Sequence, residues 1–403
     1  MSAVVIQGLR YDTGQPARVT IEDGLVRLVT GRVSDPIALG RLPWLGPGLL
    51  DLQVNGFGGQ EFASKSLTVE KVSFIAEKLA EFGVTRFLPT LTTQPPEVFE
   101  HALSVLAKAR ESDRWLGKAI PGFHLEGPFI SPEEGARGAH PREFCRLPDW
   151  DLFCRWQDVA QGNIRIITLA PELPGSVEFI EKATVAGVIV GIGHTAASAS
   201  EIYAAVQAGA RLSTHLGNGC QAVLHRHHNP IWPQLAEDRL WASFIADGHH
   251  LPPPVLKSMI RAKGLQRSIL ISDLSGQAGQ PPGIYRSPFC DVEVLEDGRL
   301  VVPGQREYLA GASAPLLRGV AVARAYVGLE WHEAFAMASK HPAQLLGLSE
   351  DWLREGEPPN ILLFEVDEPT EENPVPGIRV QEVIFGEKRF QLRQPASQTS
   401  SPS

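Results

Sequence analysis

Eight short runs rich in Val, Ile and Leu recur along the middle of this 403-residue chain, and most of them end in polar residues. They are Gly48 to Asn55, Val84 to Leu91, Ile120 to Glu126, Ile164 to Ala170, Val188 to His194, Leu212 to Leu216, Ala242 to Ala246 and Ile269 to Asp273. Runs that are apolar on both faces and alternate with helical stretches point to a parallel sheet covered on both sides. Eight of them predict an α/β fold of the closed (β/α)8 TIM-barrel type, which takes roughly 250 residues. Glycines at the expected helix ends (Gly83, Gly187, Gly209) stand shortly before three of the runs, where a residue leaving a helix commonly takes positive φ. An open doubly wound sheet is the alternative to closure. In a barrel, the polar residues that close the runs would gather at one mouth, where such enzymes carry their chemistry.

The chain ends read differently. Residues 1–46 alternate in a β manner (Val4 to Ile6, Ala17 to Ile21, Leu25 to Leu28), with turns at Thr13-Gly14 and Asp23-Gly24. The pattern returns over 355–393, at Asn360 to Phe364, Val380 to Phe385 and Arg389 to Leu392. Neither end is large enough to hold a core alone, so the two are expected to pair into a small β-sandwich domain beside a barrel of residues 47–354. The tail 394–403, rich in Pro, Ser, Gln and Thr, is expected to be disordered.

A net charge of −9 argues against a nucleic-acid surface, which usually needs a basic face. No apolar stretch approaches the ~18 residues of a membrane span. Cys145, Cys154, Cys220 and Cys290 form no close pair, which predicts neither a disulfide framework nor a zinc knuckle. With no basic-then-apolar leader at the start, the expected location is the cytoplasm.

Three segments carry the chemistry: His124-Leu125-Glu126-Gly127-Pro128, Gly193-His194-Thr195 and Thr214-His215-Leu216. Each sits where an apolar run meets a turn, so Glu126, His194 and His215 offer one carboxylate and two imidazoles from three strand ends. That donor set suits one divalent ion with a position left open for water. Mixed N/O donors fit zinc, with Fe(II) as the alternative. Asp273, closing the eighth run, can act as general base and then general acid. A hydrogen-bonded structural histidine, or a helix cap at Asp273, is the plainer reading of any one of these residues taken singly. Three such residues at three strand ends beside a fourth favour a hydrolase.

The chain resembles the N-acetylglucosamine-6-phosphate deacetylase family of the amidohydrolase superfamily. The resemblance rests on Pro47-Gly48-Leu49-Leu50-Asp51-Leu52-Gln53-Val54-Asn55-Gly56, His124 to Pro128, Gly138-Ala139-His140, Gly193 to Thr195, Thr214 to Leu216 with Asn218, Ile245 to Gly248 with His250, Ser272-Asp273 and Gly311-Ala312-Ser313. It implies that Glu126, His194 and His215 hold one metal ion per subunit, that Asp273 is the acid/base, and that His140 faces the sugar or its acetamide carbonyl. It also implies a phosphate pocket of Asn218, Gly219 and His250, completed by Arg226 from a partner subunit in a homodimer with shared sites. Many related barrels carry His-x-His after the first strand. Here Gln53-Val54-Asn55 stands there, so a single ion is expected.

The departures fall where substrate is recognised. Asn218-Gly219-Cys220 replaces the family's Asn-Ala-Met, and Arg226 is embedded in Leu224-His225-Arg226-His227-His228-Asn229-Pro230. The expected substrate is a small amino-sugar phosphate, with deacetylation of N-acetylglucosamine 6-phosphate the leading reading. An amidohydrolase for a different N-acyl compound is the second reading, and a non-catalytic sugar-phosphate-binding protein is the third.

Overall fold

The computed structural model describes residues 3–31, 42–287, 291–367 and 369–392. The tail expected to be disordered (394–403) and Cys290 lie outside these residues.

Each predicted apolar run forms a parallel strand. They are β1 (Leu49–Val54), β2 (Val84–Thr92), β3 (Phe123–Glu126), β4 (Ile164–Leu169), β5 (Ile189–Ile192), β6 (Leu212–Ser213), β7 (Trp241–Ile245) and β8 (Ser268–Ile271). They pair in sequence order from β1 to β8. Closure comes just past the last strand, where Val54 bridges Leu274 and the Asp273 N–H donates to the Gln53 carbonyl at 3.0 Å. The sheet is therefore a barrel and not an open doubly wound layer.

Local chemistry explains the helices between the strands. The helix Val69–Glu81 starts at Thr68, whose side chain accepts the Lys71 N–H. It buries Val72, Ile75, Ala76, Leu79 and Ala80, spacings of three and four residues that keep one face on the barrel. The helix Ala199–Ala208 opens with a Ser198/Glu201 capping box and stops at Gly209, whose φ of 117° suits only glycine.

The two chain ends meet in one seven-stranded sheet. In spatial order its strands are Lys388–Gln391, Ile378–Phe385, Asn360–Val366, Trp44–Pro47, Val4–Arg10, Pro16–Glu22 and Leu25–Thr30. The join lies at Trp44–Pro47, which runs parallel to Val4–Arg10 and antiparallel to Asn360–Val366. That strand leads through Gly48 directly into β1. A Cβ on Gly48 would sit 2.3 Å from Asn360 Oδ1 and 2.4 Å from the Thr85 side chain, so the tight seam between sheet and barrel requires glycine.

One element is absent from the sequence reading. Between β8 and the helix Leu316–Ala323, the strands Gly283–Arg286, Asp291–Val294, Leu300–Val302 and Gln305–Leu309 form a separate antiparallel sheet. It has a small core of Val292, Val294, Leu300 and Ala310. Ser313 Oγ donates to the Gly298 carbonyl and Ser287 Oγ to Glu61 Oε1, fastening the insert to loops at the barrel mouth.

Candidate metal and active site

The backbone places the site before any side chain does. Among the described residues, five non-glycine residues take positive φ, and three of them are His194 (51°), His215 (33°) and Asp273 (54°). Each stands two residues past the end of its strand, β5, β6 or β8. A left-handed residue at a strand end costs of the order of 1–3 kcal/mol and persists where the surroundings enforce it. Here it turns the side chain out of the strand's path and into the barrel mouth. Glu126 needs no such turn, because it is itself the last residue of β3.

The three predicted ligands meet. His215 Nε2 lies 2.9 Å and His194 Nε2 3.1 Å from Glu126 Oε1, and the two imidazole nitrogens are 3.1 Å apart. Ligand atoms around one tetrahedral zinc stand roughly 3.3 Å from one another, so this triangle has the dimensions of a metal-ligand face. The hydrogen-bond chemistry agrees. His194 Nδ1 faces the Ala136 carbonyl at 3.1 Å and donates to it, which leaves the Nε2 lone pair aimed at a carboxylate oxygen. A lone pair facing a carboxylate calls for a cation between them. Gly138 and Gly219 hold the ring from two sides, since a Cβ on either would come within 3.2 Å of the imidazole. Burial pushes Glu126 up, but the two histidines that face its carboxylate hold it well below the usual carboxylate range. Burial opposes charge on His215, yet its bond to Glu126 raises it above an ordinary histidine. A divalent ion takes the place of such a proton when it binds. Glu126 with the buried imidazoles around it thus has the donor set and spacing to hold a divalent ion, and the trio of Glu126, His140 and His194 also has its ligand atoms within 4.8 Å of one another.

His140 is the fourth member. Its Nε2 is 3.9 Å from Glu126 Oε2, and its ligand atom lies within 4.8 Å of those of Glu126 and His194. The Thr93 N–H donates to His140 Nδ1 at 3.3 Å, so the ring's own proton sits on Nε2. Burial and the nearby His194 push its pKa down to about 3, leaving it neutral. It is therefore a donor aimed at the site, less suited to ligation than His215.

Asp273 lies beside the triangle through an intermediary that sequence reading weighed only as a ligand and set aside. Gln53 Nε2 donates to Glu126 Oε1 at 2.8 Å and to Asp273 Oδ1 at 3.1 Å, and Asn55 Nδ2 donates to the same Oδ1 at 2.8 Å. One amide group thus ties the two carboxylates together. Burial, then the Glu126 charge, push the Asp273 carboxyl up to about 6. The signal was legible: Asp51 and Gln53 alternate along β1 and Asn55 follows just past its end in the same phase, which puts all three on its inner side. Asp51 lies deeper, accepting the N–H groups of Gln53 and Ser272, and burial raises it to about 7. His124, two residues before Glu126, also points inward. It faces the Leu52 carbonyl and the Thr168 hydroxyl, which in turn meets Thr214 at 2.7 Å. Burial lowers it to about 4, so it is a neutral strut below the mouth.

The predicted substrate residues divide. Asn218 and Gly219 line a recess with His194, Thr195, Cys220 and Ile231. The Asn218 side chain bonds back to the His215 carbonyl, and the Gly219 carbonyl accepts the Thr195 N–H. His250 is held through Nδ1, 2.7 Å from Asp247 Oδ2, while Asp247 Oδ1 accepts the N–H groups of His249 and His250. Asp247, another residue given no role from sequence, is what orients His250. Arg226 is not brought into this cluster. It is exposed, and among the described residues its guanidinium makes no hydrogen bond or ion pair. Lys340 pairs with Glu350 on the surface and His341 is bonded to the Ser268 carbonyl, so both serve structure.

Residues 44–393 match the amidohydrolase family. N-acetylglucosamine-6-phosphate deacetylase of Bos taurus is 38% identical over 320 residues, 75% of each chain. The chain belongs to the N-acetylglucosamine-6-phosphate deacetylase family. An N-acetylgalactosamine-6-phosphate deacetylase of Shewanella sp. (strain ANA-3) is also similar, 31% identical over 302 residues, 74% of this chain and 73% of the relative. Among solved structures, a mutant N-acetyl-D-glucosamine-6-phosphate deacetylase of Mycobacterium smegmatis, in complex with N-acetyl-D-glucosamine-6-phosphate, superposes with a TM-score of 0.82 at 26% identity. That match covers 96% of this chain and 99% of the other. The deacetylase family likeness thus extends over barrel and sheet together.

Proposed function

We propose that this chain hydrolyses the acetamide of N-acetylglucosamine 6-phosphate, or a close N-acetyl amino-sugar phosphate, to the amine and acetate. The observation that carries the reading is the convergence of Glu126, His194 and His215 on one point, with Asp273 tied to Glu126 through Gln53. Those three residues would hold a single ion per subunit, zinc or alternatively Fe(II). When bound, such an ion supplies Lewis-acid polarisation of the amide carbonyl and eases ionisation of water. Gln53 and Asn55 are amide donors, and they support one ion over two.

The chain's own residues do the rest. His140 carries its proton on Nε2 and donates to the acetamide oxygen as negative charge grows there. Asp273 has Oδ1 engaged by two amides, which leaves Oδ2 to take a proton from the attacking water and return it to the leaving nitrogen. The backbone around Asn218 and Gly219 and the Asp247-oriented His250 would meet the phosphate. Arg226 completes that pocket across a homodimer interface, a reading supported by its exposure on the single chain. On this reading the chemistry belongs to a barrel domain of residues 47–354, and the two chain ends, 1–46 and 355–393, form a supporting β domain whose described strands make one seven-stranded sheet instead of the expected sandwich. No described helix is long and apolar enough to cross a membrane. Cys145, Cys154 and Cys220 are unpaired, which fits the reducing cytoplasm.

A second reading, an epimeric or differently substituted N-acyl sugar, draws on the altered segment 219–232 and on the Shewanella relative. The non-catalytic reading has no supporting observation. The deciding experiment follows acetate release from N-acetylglucosamine 6-phosphate, N-acetylgalactosamine 6-phosphate and unphosphorylated N-acetylglucosamine, in wild type and Asp273→Asn. High kcat/KM for N-acetylglucosamine 6-phosphate, falling about 10²–10⁴-fold in the variant, is expected. A metal-loaded protein releasing acetate only from the galactosamine compound would install the second reading. No acetate from any of the three would refute the proposal.

A further inference from the structure

The segment around Arg226 is exposed, yet its backbone is bonded on both sides of the arginine. His225 Nδ1 accepts the N–H groups of His227 (3.2 Å) and His228 (3.0 Å), and its ring stacks on that of His228 at 4.9 Å. Asn229 reaches back to the His225 carbonyl at 2.9 Å, while its Oδ1 accepts the N–H groups of Ile231 and Trp232. Trp232 Nε1 donates to the Arg226 carbonyl at 2.9 Å, although the indole itself is 52% exposed. Three side chains, His225, Asn229 and Trp232, therefore anchor the turn around one residue, and none of these bonds uses the guanidinium.

An exposed loop of small polar residues would be mobile, and an arginine on it would lose conformational freedom whenever it bound an anion. The bonds described here remove backbone freedom in advance and leave the charged fork unengaged. His225 and Trp232 differ in kind from a cation that binds phosphate. His225 offers an acceptor, Nδ1, to two backbone N–H groups, and Trp232 offers a donor to one carbonyl. Neither role needs charge. We infer that His225 and Trp232 are positioning residues that pre-form the Arg226 turn, so that the guanidinium meets the phosphate of the substrate without ordering the loop first. This rests on the assignment of Arg226 to the phosphate, and the experiment separates the two.

Steady-state kinetics on N-acetylglucosamine 6-phosphate would compare wild type with Arg226→Ala, His225→Ala, His225→Asn, Trp232→Phe and the double variant His225→Ala/Arg226→Ala. Loss of a charge-assisted bond to phosphate should raise KM about tenfold or more in Arg226→Ala. His225→Ala and Trp232→Phe should each raise KM several-fold while kcat moves less than about twofold. His225→Asn, which keeps a short acceptor for the two N–H groups, should recover most of that loss. If His225 acts only through Arg226, the double variant matches Arg226→Ala alone. A KM unchanged in both His225→Ala and Trp232→Phe, with Arg226→Ala impaired, would overturn the inference and spare the phosphate assignment. An effect of His225→Ala that persists in full without Arg226 would also overturn it. A normal KM in Arg226→Ala would remove the assignment on which the inference stands.

Discussion

Replacing Gln53 by Leu tests the coupling between ligand and acid/base directly. Leu nearly preserves the volume of a side chain that is 1% exposed, and removes the amide that donates at 2.8 Å to Glu126 and 3.1 Å to Asp273. A bond to a charged acceptor contributes about 1.5–3 kcal/mol, and buried as these are, water does not replace the donor. Asp273 keeps Asn55 at 2.8 Å, so it loses one of two side-chain donors to Oδ1. A loss of about 1.4 kcal/mol from the ionised form raises a carboxyl by about one pH unit. Asp273, already pushed up to about 6 by burial and by Glu126, then titrates about one unit higher. Only the ionised carboxylate accepts a proton from water, so activity is lost as pH falls through that value. The acidic limb of kcat/KM should therefore move upward by about one unit in Gln53→Leu. The variant should lose about fivefold at the pH where the wild-type carboxyl is half ionised, approach a tenfold loss below it, and lose little near pH 9. Acetate release between pH 5 and 9, with metal content measured on the same samples, reads this out. A fully metal-loaded variant whose acidic limb has not moved would refute the reasoning.

Three further outcomes follow from the same geometry. Glu126→Gln removes the charge on which His194 and His215 converge, so the purified protein should lose most of its bound metal by elemental analysis and gain little thermal stability on metal addition. Asp51 is held near 7 by burial, against an ordinary 3.8 when unfolded, so the folded state binds its proton more tightly. That contribution is complete at low pH and is lost as pH rises from about 4 through about 7, a span worth about 4 kcal/mol. The stability difference between Asp51→Asn and wild type should accordingly shift toward the variant as denaturant titrations move from pH 5 to pH 8. Gly219→Ala would set a Cβ 3.0 Å from His194 Nδ1 at a φ of 58°, with a strain of about 1–2 kcal/mol. It should weaken metal binding, measured by competition with a chelator, while leaving the circular dichroism spectrum unchanged.

Much of the molecule was legible before any coordinates. The barrel strands announce themselves because a strand buried on both faces must be apolar along its length, and Leu49–Val54 is buried throughout. The helix-stopping glycines were visible because left-handed backbone has few other occupants. The candidate ligands stood out because each lies at or beside the end of such a run. The insert at 283–309 was not visible: its strands of three to five residues carry too few apolar positions to stand out from barrel loops. Asp247 and His124 escaped for a related reason, since a motif says which residues recur together but not which one holds another in place.

The sequence by itself determined that strands and helices would alternate, and which carboxylate and imidazoles would stand at strand ends, because periodicity and chain order are local properties. Only the tertiary structure decided that one oxygen at the end of β3 and two nitrogens just past β5 and β6 converge to within 3.1 Å. It alone gave Gln53 its place between two carboxylates, and left Arg226 facing outward on a braced turn. Those relations depend on barrel closure and on left-handed turns at His194, His215 and Asp273, which the whole fold enforces against the preference of each residue taken alone.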